Sequence, residues 1–367
     1  MKLTTLIRRS LTHYWRANLA VALGAAVAVA VLVGSLLVGD SVDASLHRLA
    51  TERLGRVDYT VAGRRFFTRG LADRLMEHDD VGQWCRSIVP AAAMEGMAEH
   101  ASSDEVVPRA TIFGVTDDFW TLSDEIESPG LEGRQVVLNE YAADDLGAEP
   151  GDFVLVRLVR QGEAPADTVF GRRSPGDTVR SLRLEVAEVV PAEGLGSFSL
   201  RSGEPRPRNI YMPLEWLAER LGRPDGANLL LVDAGEDSGT GAGERLEDAL
   251  KSSMQIADYG LRLQQEDGGY LSLESGQMVL PPEAVSAAEE AAGEEMDTAV
   301  TSIYLANKIS TASADQPVPY SVVAGLDPRA EAPLGPLRMS DGGSPPKLDP
   351  GDILLNAWAA EKLSASP

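Results

Sequence analysis

A chain of 367 residues with 44% hydrophobic content is long enough for two medium domains or one large one, each with a proper core. Its formal net charge of −23 argues against binding to nucleic acid or to anionic lipid headgroups, which so acidic a surface repels. The single cysteine, Cys85, excludes an intrachain disulfide; placed after Trp84 in an apolar context, it reads as a small core residue.

The charge is unevenly spread. Residues 1–18 hold Lys2, Arg8, Arg9 and Arg16 and no acid, which leaves a net −27 on residues 19–367. Leu3, Leu6, Ile7, Leu11, Tyr14 and Trp15 fall near one helical face, so 1–18 is predicted to be an interfacial helix with aromatic anchors. Residues 19–38, LAVALGAAVAVAVLVGSLLV, carry no charge. At about 1.5 Å per residue they cross the roughly 30 Å hydrocarbon core. Eleven of these twenty are Leu or Val, so insertion gains on the order of 3–7 kcal/mol before small costs from Gly and Ser. A cleaved signal peptide has a similar start. This run, however, exceeds the roughly 7–15 residues of a signal core and leads into the helical pattern VGDSVDASLHRLATERLG rather than a cleavage loop. A retained anchor is expected, with the cationic flank in the cytoplasm and everything after Gly39 exported. Ala20, Gly24 and Ala28 form one line of small residues, and Ala26, Ala30 and Gly34 another. Such lines suit packing against other membrane helices, although an Ala-rich composition also produces them. Val42, Leu46 and Leu49 continue an amphipathic pattern to Leu54. Residues 39–56 are therefore predicted to form a helical stalk, and a continuous helix over 19–54 would be ~54 Å long, about half of it clear of the bilayer.

Beyond Val57 the pattern changes to short alternating runs, as in a mixed α and β domain. Strands are predicted at 57–62, 110–113, 136–138, 153–158, 182–190, 229–232, 259–263 and 301–309, and helices at 70–77, 140–146, 214–221, 245–252 and 283–292. The segment 234–243, AGEDSGTGAG, reads as a flexible linker between a first part, 57–233, and a second, 244–367. Its glycines match no phosphate-binding motif. A second loose region, rich in Pro, Gly and Asp, covers 333–352.

An internal repeat is the most informative feature. VVLNEYAADDLGAEP at 136–150 aligns without gaps to ILLNAWAAEKLSASP at 353–367, with seven of fifteen residues identical. Each copy reads as a strand, an Asn able to cap a helix (Asn139, Asn356), and a two-turn helix with an aromatic residue at Tyr141 or Trp358. An apolar strand precedes each, TIFGV from Thr111 and VVAGL from Val322. The first copy continues through Gly151 and Asp152 into FVLVRL, whereas the second meets Pro367; the natural polypeptide is expected to continue beyond it.

Catalytic chemistry is not apparent in the sequence. His13, His47, His78 and His100 lack metal-ligand spacing, and Cys85 lacks a partner. Ser197 and Ser199 lie outside any nucleophile elbow. The neighbouring acids Asp117 and Asp118, Asp144 and Asp145, and Glu289 and Glu290 read as solvated faces. No catalytic, cofactor-binding or metal residue is nominated.

Five pieces in order carry a resemblance: the basic lead-in with LTHYWRANLAVALG, the exit GDSVDASLHRLATERLG, the block from IFGVTDDF to VVLNEYAADDLGAEPGDFVLV, the strand EVAEVVPAEG, and NIYMPLEWLAERLGRPDGANLLLV with Pro213 at a helix start. Together they resemble the first membrane helix and periplasmic core domain of ABC transporter permeases of the FtsX-like and MacB-like class. The resemblance implies four membrane helices per permease around an exported domain, an ATPase on a separate cytoplasmic chain or domain, and paired permeases. In several members ATP-driven membrane motion is coupled to the exported domain, a process called mechanotransmission. The chain departs from the pattern in having one span, and in the long region 151–367 with its second motif copy.

The expected fold is α+β, with one N-terminal transmembrane helix and a mixed α/β extracytoplasmic domain containing a repeated strand-loop-strand-helix unit. The expected function is that of an N-terminal permease fragment, non-catalytic itself, serving export, lipoprotein release or mechanotransmission from the bacterial inner membrane. Expected partners are a cytoplasmic ABC ATPase subunit, a second permease, the lipid bilayer and a periplasmic cargo or partner protein, with no nucleic acid and no cofactor. The alternative is a single-pass membrane-anchored binding or sensor domain. An anchored hydrolase stands third, for want of a nucleophile, base or metal.

Overall fold

The computed structural model describes residues 3–103, 105–124, 126–159, 179–201, 204–235, 238–276, 279–311, 317–328 and 335–365. Lys2, the last two aligned positions of the repeat, and small parts of both loose segments (236–237 and 333–334) lie outside the described residues. Two compact units divide the chain, Met1–Met254 and Gln255–Pro367.

The first unit begins with α1 (Leu3–His13) and α2 (Trp15–Glu52). The three segments expected over 1–56 are thus two helices, and span and stalk are one rod. With 38 residues α2 is ~57 Å long. Its stretch Trp15–Arg48 is long and apolar enough to cross a membrane. The turn at Tyr14 barely interrupts the helical ladder, since Tyr14 N–H donates to Ser10 O at 3.0 Å and Asn18 N–H to Tyr14 O at 3.0 Å.

The domain follows as β1 (Tyr59–Thr68), α3 (Gly70–Glu77), α4 (Asp79–Gly82), β2 (Ser87–His100), β3 (Val106–Val115), α5 (Asp117–Trp120), β4 (Gln135–Asn139), α6 (Glu140–Leu146), β5 (Phe153–Val159), β6 (Val179–Val190), β7 (Asn209–Pro213), α7 (Leu214–Arg220), β8 (Gly226–Asp233) and α8 (Ala242–Ser253). The eight strands form one sheet in the order β1-β8-β2-β3-β7-β4-β6-β5, and a further pairing of β2 with β5 closes six of them into a ring. The neighbours β3 and β7, and β4 and β6, run parallel; the other pairs are antiparallel. Closure depends on β2, a 14-residue strand whose first half pairs with β8 and whose second half lies between β3 and β5. Gly96 stands where β2 is gripped from both sides. A Cβ there would sit 2.7 Å from Ile112 Cδ1 and 2.9 Å from Arg157 O, so only glycine admits both neighbours.

Strand chemistry follows position in the ring. β4 reads QVVLN with Val136, Val137, Leu138 and Asn139 all buried, as a strand covered on both faces requires. Along β6, Leu182, Leu184 and Val186 are buried while Ser181, Arg183 and Glu185 are exposed, and Ala187 is an extra residue in the register against β4. Two apolar cores result. One gathers Ile112, Leu138, Leu184 and Ile210 with Leu146 of α6 and Leu217 of α7. The other gathers Phe113, Phe119, Trp120, Phe198 and Tyr211, whose rings meet at centroid distances of 5.2–5.7 Å. The segment 234–243 falls inside this unit rather than between units. Ala234 and Ala242 are buried against Trp84 and Leu246, because the residues after β8 turn back to seat α8 on the sheet.

The second unit contains β9 (Leu261–Gln265), β10 (Leu271–Ser275), α9 (Pro282–Ala292), β11 (Ser302–Ile309), β12 (Val318–Gly325) and α10 (Ala357–Leu363). The strand expected at 259–263 begins later, after a 3₁₀ turn at Ile256–Tyr259. The repeat is visible as local geometry. A turn closes before each copy through Glu132 N–H to Gln135 Oε1 (3.1 Å) and Asp349 N–H to Asp352 Oδ2 (3.0 Å). Each helix starts with the Asn side chain accepting from the third residue on, Asn139 Oδ1 from Ala142 N (3.0 Å) and Asn356 Oδ1 from Ala359 N (2.8 Å). Each ends in a left-handed residue, Gly147 or Ser364. One expected element differs: the residues matching β4, 353–355, are not a strand. In the first unit β4 is held between β6 and β7, whereas among the described residues β12 pairs only with β11, so the second copy lacks the neighbours that make its counterpart a strand.

Asn139 is fully buried and also donates to Pro207 O at 2.7 Å and accepts from Asn209 N at 3.0 Å. Asn139→Ala is therefore expected to cost about 2–4 kcal/mol, a lost cap plus buried groups left unpaired, whereas Asn356→Ala at an exposed cap costs about 1 kcal/mol or less. Denaturant unfolding of the two variants side by side checks the difference.

Candidate functional site at the helix-domain junction

Where a long apolar helix enters a folded domain, the joint decides whether the two move together. Here α2 ends with Thr51 Oγ1 donating to Arg48 O at 2.9 Å and an Arg48–Glu52 ion pair at 3.1 Å. The chain then turns at Gly55, with φ +58°. A side chain there would be strained twice, by the left-handed backbone and by a Cβ 2.5 Å from Leu122 O. The turn delivers Arg56 N–H to Leu122 O at 2.8 Å and Asp58 N–H to Val232 O at 2.9 Å, so the joint is stitched to the α5 turn and to β8. Val57 is buried in the aromatic core beside Phe119 and Leu122, and Leu54 packs against it.

Arg56 is the centre of the joint. Its Nε lies 3.2 Å from Asp233 Oδ2, its Nη1 2.9 Å from Asp124 Oδ1, and its Nη2 donates to Thr121 O. Asp233, whose side chain is only 4% exposed, also takes Arg86 Nη1 at 3.2 Å and accepts from Gly235 N at 3.1 Å. Its buried charge is thus compensated by two guanidiniums. The hydrogen bond to Asp124, opposed by burial and reinforced by Asp233, holds Arg56 above its ordinary range. The exposed Arg56–Asp124 pair contributes about 0–1 kcal/mol; the importance of the set is that it fixes one geometry at the end of the rod.

A second grip lies one turn earlier. Arg53 donates through Nη1 to Glu204 O at 2.8 Å and through Nη2 to Pro205 O at 3.1 Å. The segment 204–208 leads from there across α6. Arg206 lies over the Tyr141 ring at 4.6 Å, with Nη2 4.0 Å from Asp144, and Arg208 pairs with Asp145. Pro207 O is held by Asn139, and Arg208 O accepts from Thr111 N at 2.8 Å before the chain enters β7. Arg53 is therefore linked to α6 and the ring by a short bonded path.

Several of the residues weighed in the sequence make structural contacts. Ser197 is buried and donates to Ala192 O, and Ser199 donates to Glu204 Oε2 at 3.2 Å. Asp144 and Asp145 meet Arg206 and Arg208, and Asp117 accepts from Ser128 Oγ at 2.9 Å. His78 caps α4, and His13 stacks edgewise on Tyr14. Nothing local in the sequence marks a partner for His100. The fold brings its Nδ1 within 2.9 Å of Ser103 Oγ and its Nε2 within 3.5 Å of Asp152 Oδ2, closing the β2–β3 turn onto the start of β5. Among the described residues no three His, Cys, Asp or Glu side chains group as a metal site. Arg53, Arg56 and Asp233 escaped notice because their partners lie 65 to 177 residues away, and the sole local signal was Gly55 after a helical pattern.

An apolar helix of spanning length rigidly joined to an α+β domain is the design of a membrane-anchored protein with an extracytoplasmic domain. The family model described as MacB-like periplasmic core domain matches residues 19–249. The match takes in the helix, the joint and the ring of strands, and the chain belongs to this family of ABC transporter permease domains. Among solved structures, the periplasmic region of MacB from Actinobacillus actinomycetemcomitans is similar at 14% identity, covering 62% of this chain and 90% of that one, with a TM-score of 0.33. The extracellular domain of the noncanonic ABC-type transporter YknZ from Gram-positive bacteria is similar at 15% identity, covering 52% and 87%, with a TM-score of 0.33. Comparison with curated proteins returns no match.

Gly55→Ala is expected to destabilise the joint by about 1–2 kcal/mol from backbone strain alone. Asp233→Ala should cost about 1–3 kcal/mol, because a buried site loses the acceptor for two guanidiniums. Thermal unfolding, with protease cleavage at 52–57 as a local readout, checks both. Burial pushes the Cys85 thiol up to about 11, against a weaker opposing hydrogen bond with the Ser87 backbone. The folded protein therefore resists thiol-directed alkylation at pH 8 until it unfolds. The stability this burial reflects is complete below the ordinary thiol pKa near ~8.5 and is lost as pH rises toward the folded value.

Proposed function

We propose that the chain is the anchoring and extracytoplasmic part of an ABC permease subunit, and that it converts ATP hydrolysis in a separate cytoplasmic subunit into movement of its domain. The supporting observation is the continuous α2 rod, clamped at Arg53 and Arg56 to the ring of strands. A rod that slides or tilts in the bilayer displaces the domain only if its end does not swivel, and two arginines a turn apart prevent swivelling. The cationic residues of 1–18 favour a cytoplasmic N-terminus, with the acidic domain outside. The cationic residues of 1–18 lie near the ATPase, a second permease packs against the small-residue lines of α2, and a cargo or partner protein meets the domain. The chain itself carries out no catalysis; its role is export, lipoprotein release or mechanotransmission.

Purification of the full-length gene product from native membranes is expected to bring down an ATP-hydrolysing subunit. Spin labels at Asp43 on α2 and Glu140 on α6, Asp43→Cys with Glu140→Cys, should then report a distance distribution that changes with ATP and stays unchanged in Arg56→Ala. Stable isolation without any ATPase, and labels indifferent to ATP, would favour the single-pass sensor.

A further inference from the structure

Serine meets histidine at the β2–β3 turn and again between the start of α4 and α8, and the two imidazoles face their serines with opposite proton roles. At the turn, Ser103 Oγ lies 2.9 Å from His100 Nδ1. The other ring nitrogen, Nε2, is buried without a hydrogen-bond partner and lies 3.5 Å from Asp152 Oδ2. A carboxylate oxygen only accepts, so the neutral ring keeps its proton on Nε2 and offers Nδ1 as the acceptor for the Ser103 hydroxyl. Both supports are fixed. Asp152 Oδ2 accepts from Glu149 N at 2.9 Å, and the main chain of Asp152 is bonded to Glu149 O and Val186 N. His100 is 9% exposed; its N–H donates to Glu105 O at 3.0 Å, and it pairs with Val154 of β5. At the second place, Ser252 Oγ lies 3.2 Å from His78 Nε2. There Nδ1 accepts from Asp80 N at 3.3 Å, a closer contact than the 3.9 Å to Asp80 Oδ2. The His78 proton is therefore on Nε2, the ring donates to Ser252, and the serine gives its own proton to Asp248 O or Ala249 O. His78 cannot take a proton from its serine, whereas His100 can.

We propose that Ser103 is an activated hydroxyl and a site of covalent acylation by activated esters of carboxylic acids, with His100 as the base and Asp152 as the residue that positions it. Hydroxyl, ring and carboxylate stand in the order that such a relay requires. The contact between Nε2 and Asp152 is longer than a hydrogen bond at rest and tightens once the ring gains charge. In the step, Ser103 Oγ forms a bond to the acyl carbon and the ester C–O bond breaks, its electron pair leaving on the departing oxygen. The hydroxyl proton passes to His100 Nδ1 and from there to that oxygen. Ser103 is exposed, which admits a small ester. The modification is stoichiometric, so the non-catalytic role proposed for the domain is unchanged.

The test treats the 367-residue chain in detergent with p-nitrophenyl acetate and locates the acetyl groups by peptide mass spectrometry. Neither an ATPase nor a membrane orientation is needed, so the result is independent of the permease reading. Ser103 is expected to be acetylated about a hundredfold faster than the exposed Ser102 beside it or the exposed Ser252 at His78, the low end of general-base assistance. His100→Gln should bring Ser103 down to the rate of Ser102. Asp152→Asn should slow it by about tenfold, less than loss of the base itself, and Asp152→Glu should recover part of that loss. The far-ultraviolet spectrum and thermal unfolding of each variant confirm a folded chain. Equal rates at Ser103 and Ser102, acetylation of Ser252 as fast as that of Ser103, or a Ser103 rate indifferent to His100→Gln or to Asp152→Asn would each overturn the proposal.

Discussion

A bilayer-spanning helix transmits force to a domain only when the joint between them yields less than either part. In this molecule the contacts at that joint converge on Arg56. It stands one residue past the turn at Gly55, where its backbone is bonded to Leu122 and its side chain reaches Asp124, Thr121 and Asp233. Each contact alone is a weak, partly hydrated interaction. Their convergence on the first residues after a 38-residue rod leaves the rod a single exit direction. The buried carboxylate of Asp233 anchors the arrangement, since it would be costly without both Arg56 and Arg86 beside it.

Behind the joint lies the closed ring of six strands. Closure through β2 removes the free edges that would let the strands shear, and the two parallel pairs are covered on both faces by apolar cores. The segment 204–208 links rod and ring without passing through either core. Its carbonyls are held by Arg53, Asn139 and Thr111, and its arginines by Tyr141, Asp144 and Asp145. The same kind of helix start is built again at Asn356, without the strands that surround its counterpart. One copy is a finished part of the ring; the other presents an aromatic ring and opposed charges to solvent.

Much of this was legible in the residues alone. The helices at 70–77 and 140–146 form over those residues: both carry a two-turn apolar face, and the second adds an Asn cap and a Gly stop, all of them local signals. The continuous apolar run of β4 was legible for the same reason. β2 was missed: its small residues, SIVPAAAMEGMAEH, carry little β-propensity, and they form a strand because three neighbours, β8, β3 and β5, supply hydrogen bonds on its two sides. The segment 234–243 looked like a linker because Gly and Ser signal flexibility by composition, whereas its ends are fixed by burial against distant residues.

Local sequence therefore carries whatever depends on neighbours within a few positions: the apolar rod and its cationic start, the capped helices and the duplicated motif. The tertiary structure alone decided the closure of the ring, the convergence of Arg53 and Arg56 on their partners, and the contrast between a covered Tyr141 and an exposed Trp358. Those features rest on pairings between residues far apart in the chain, and no local propensity encodes which distant acid or carbonyl will face a given arginine.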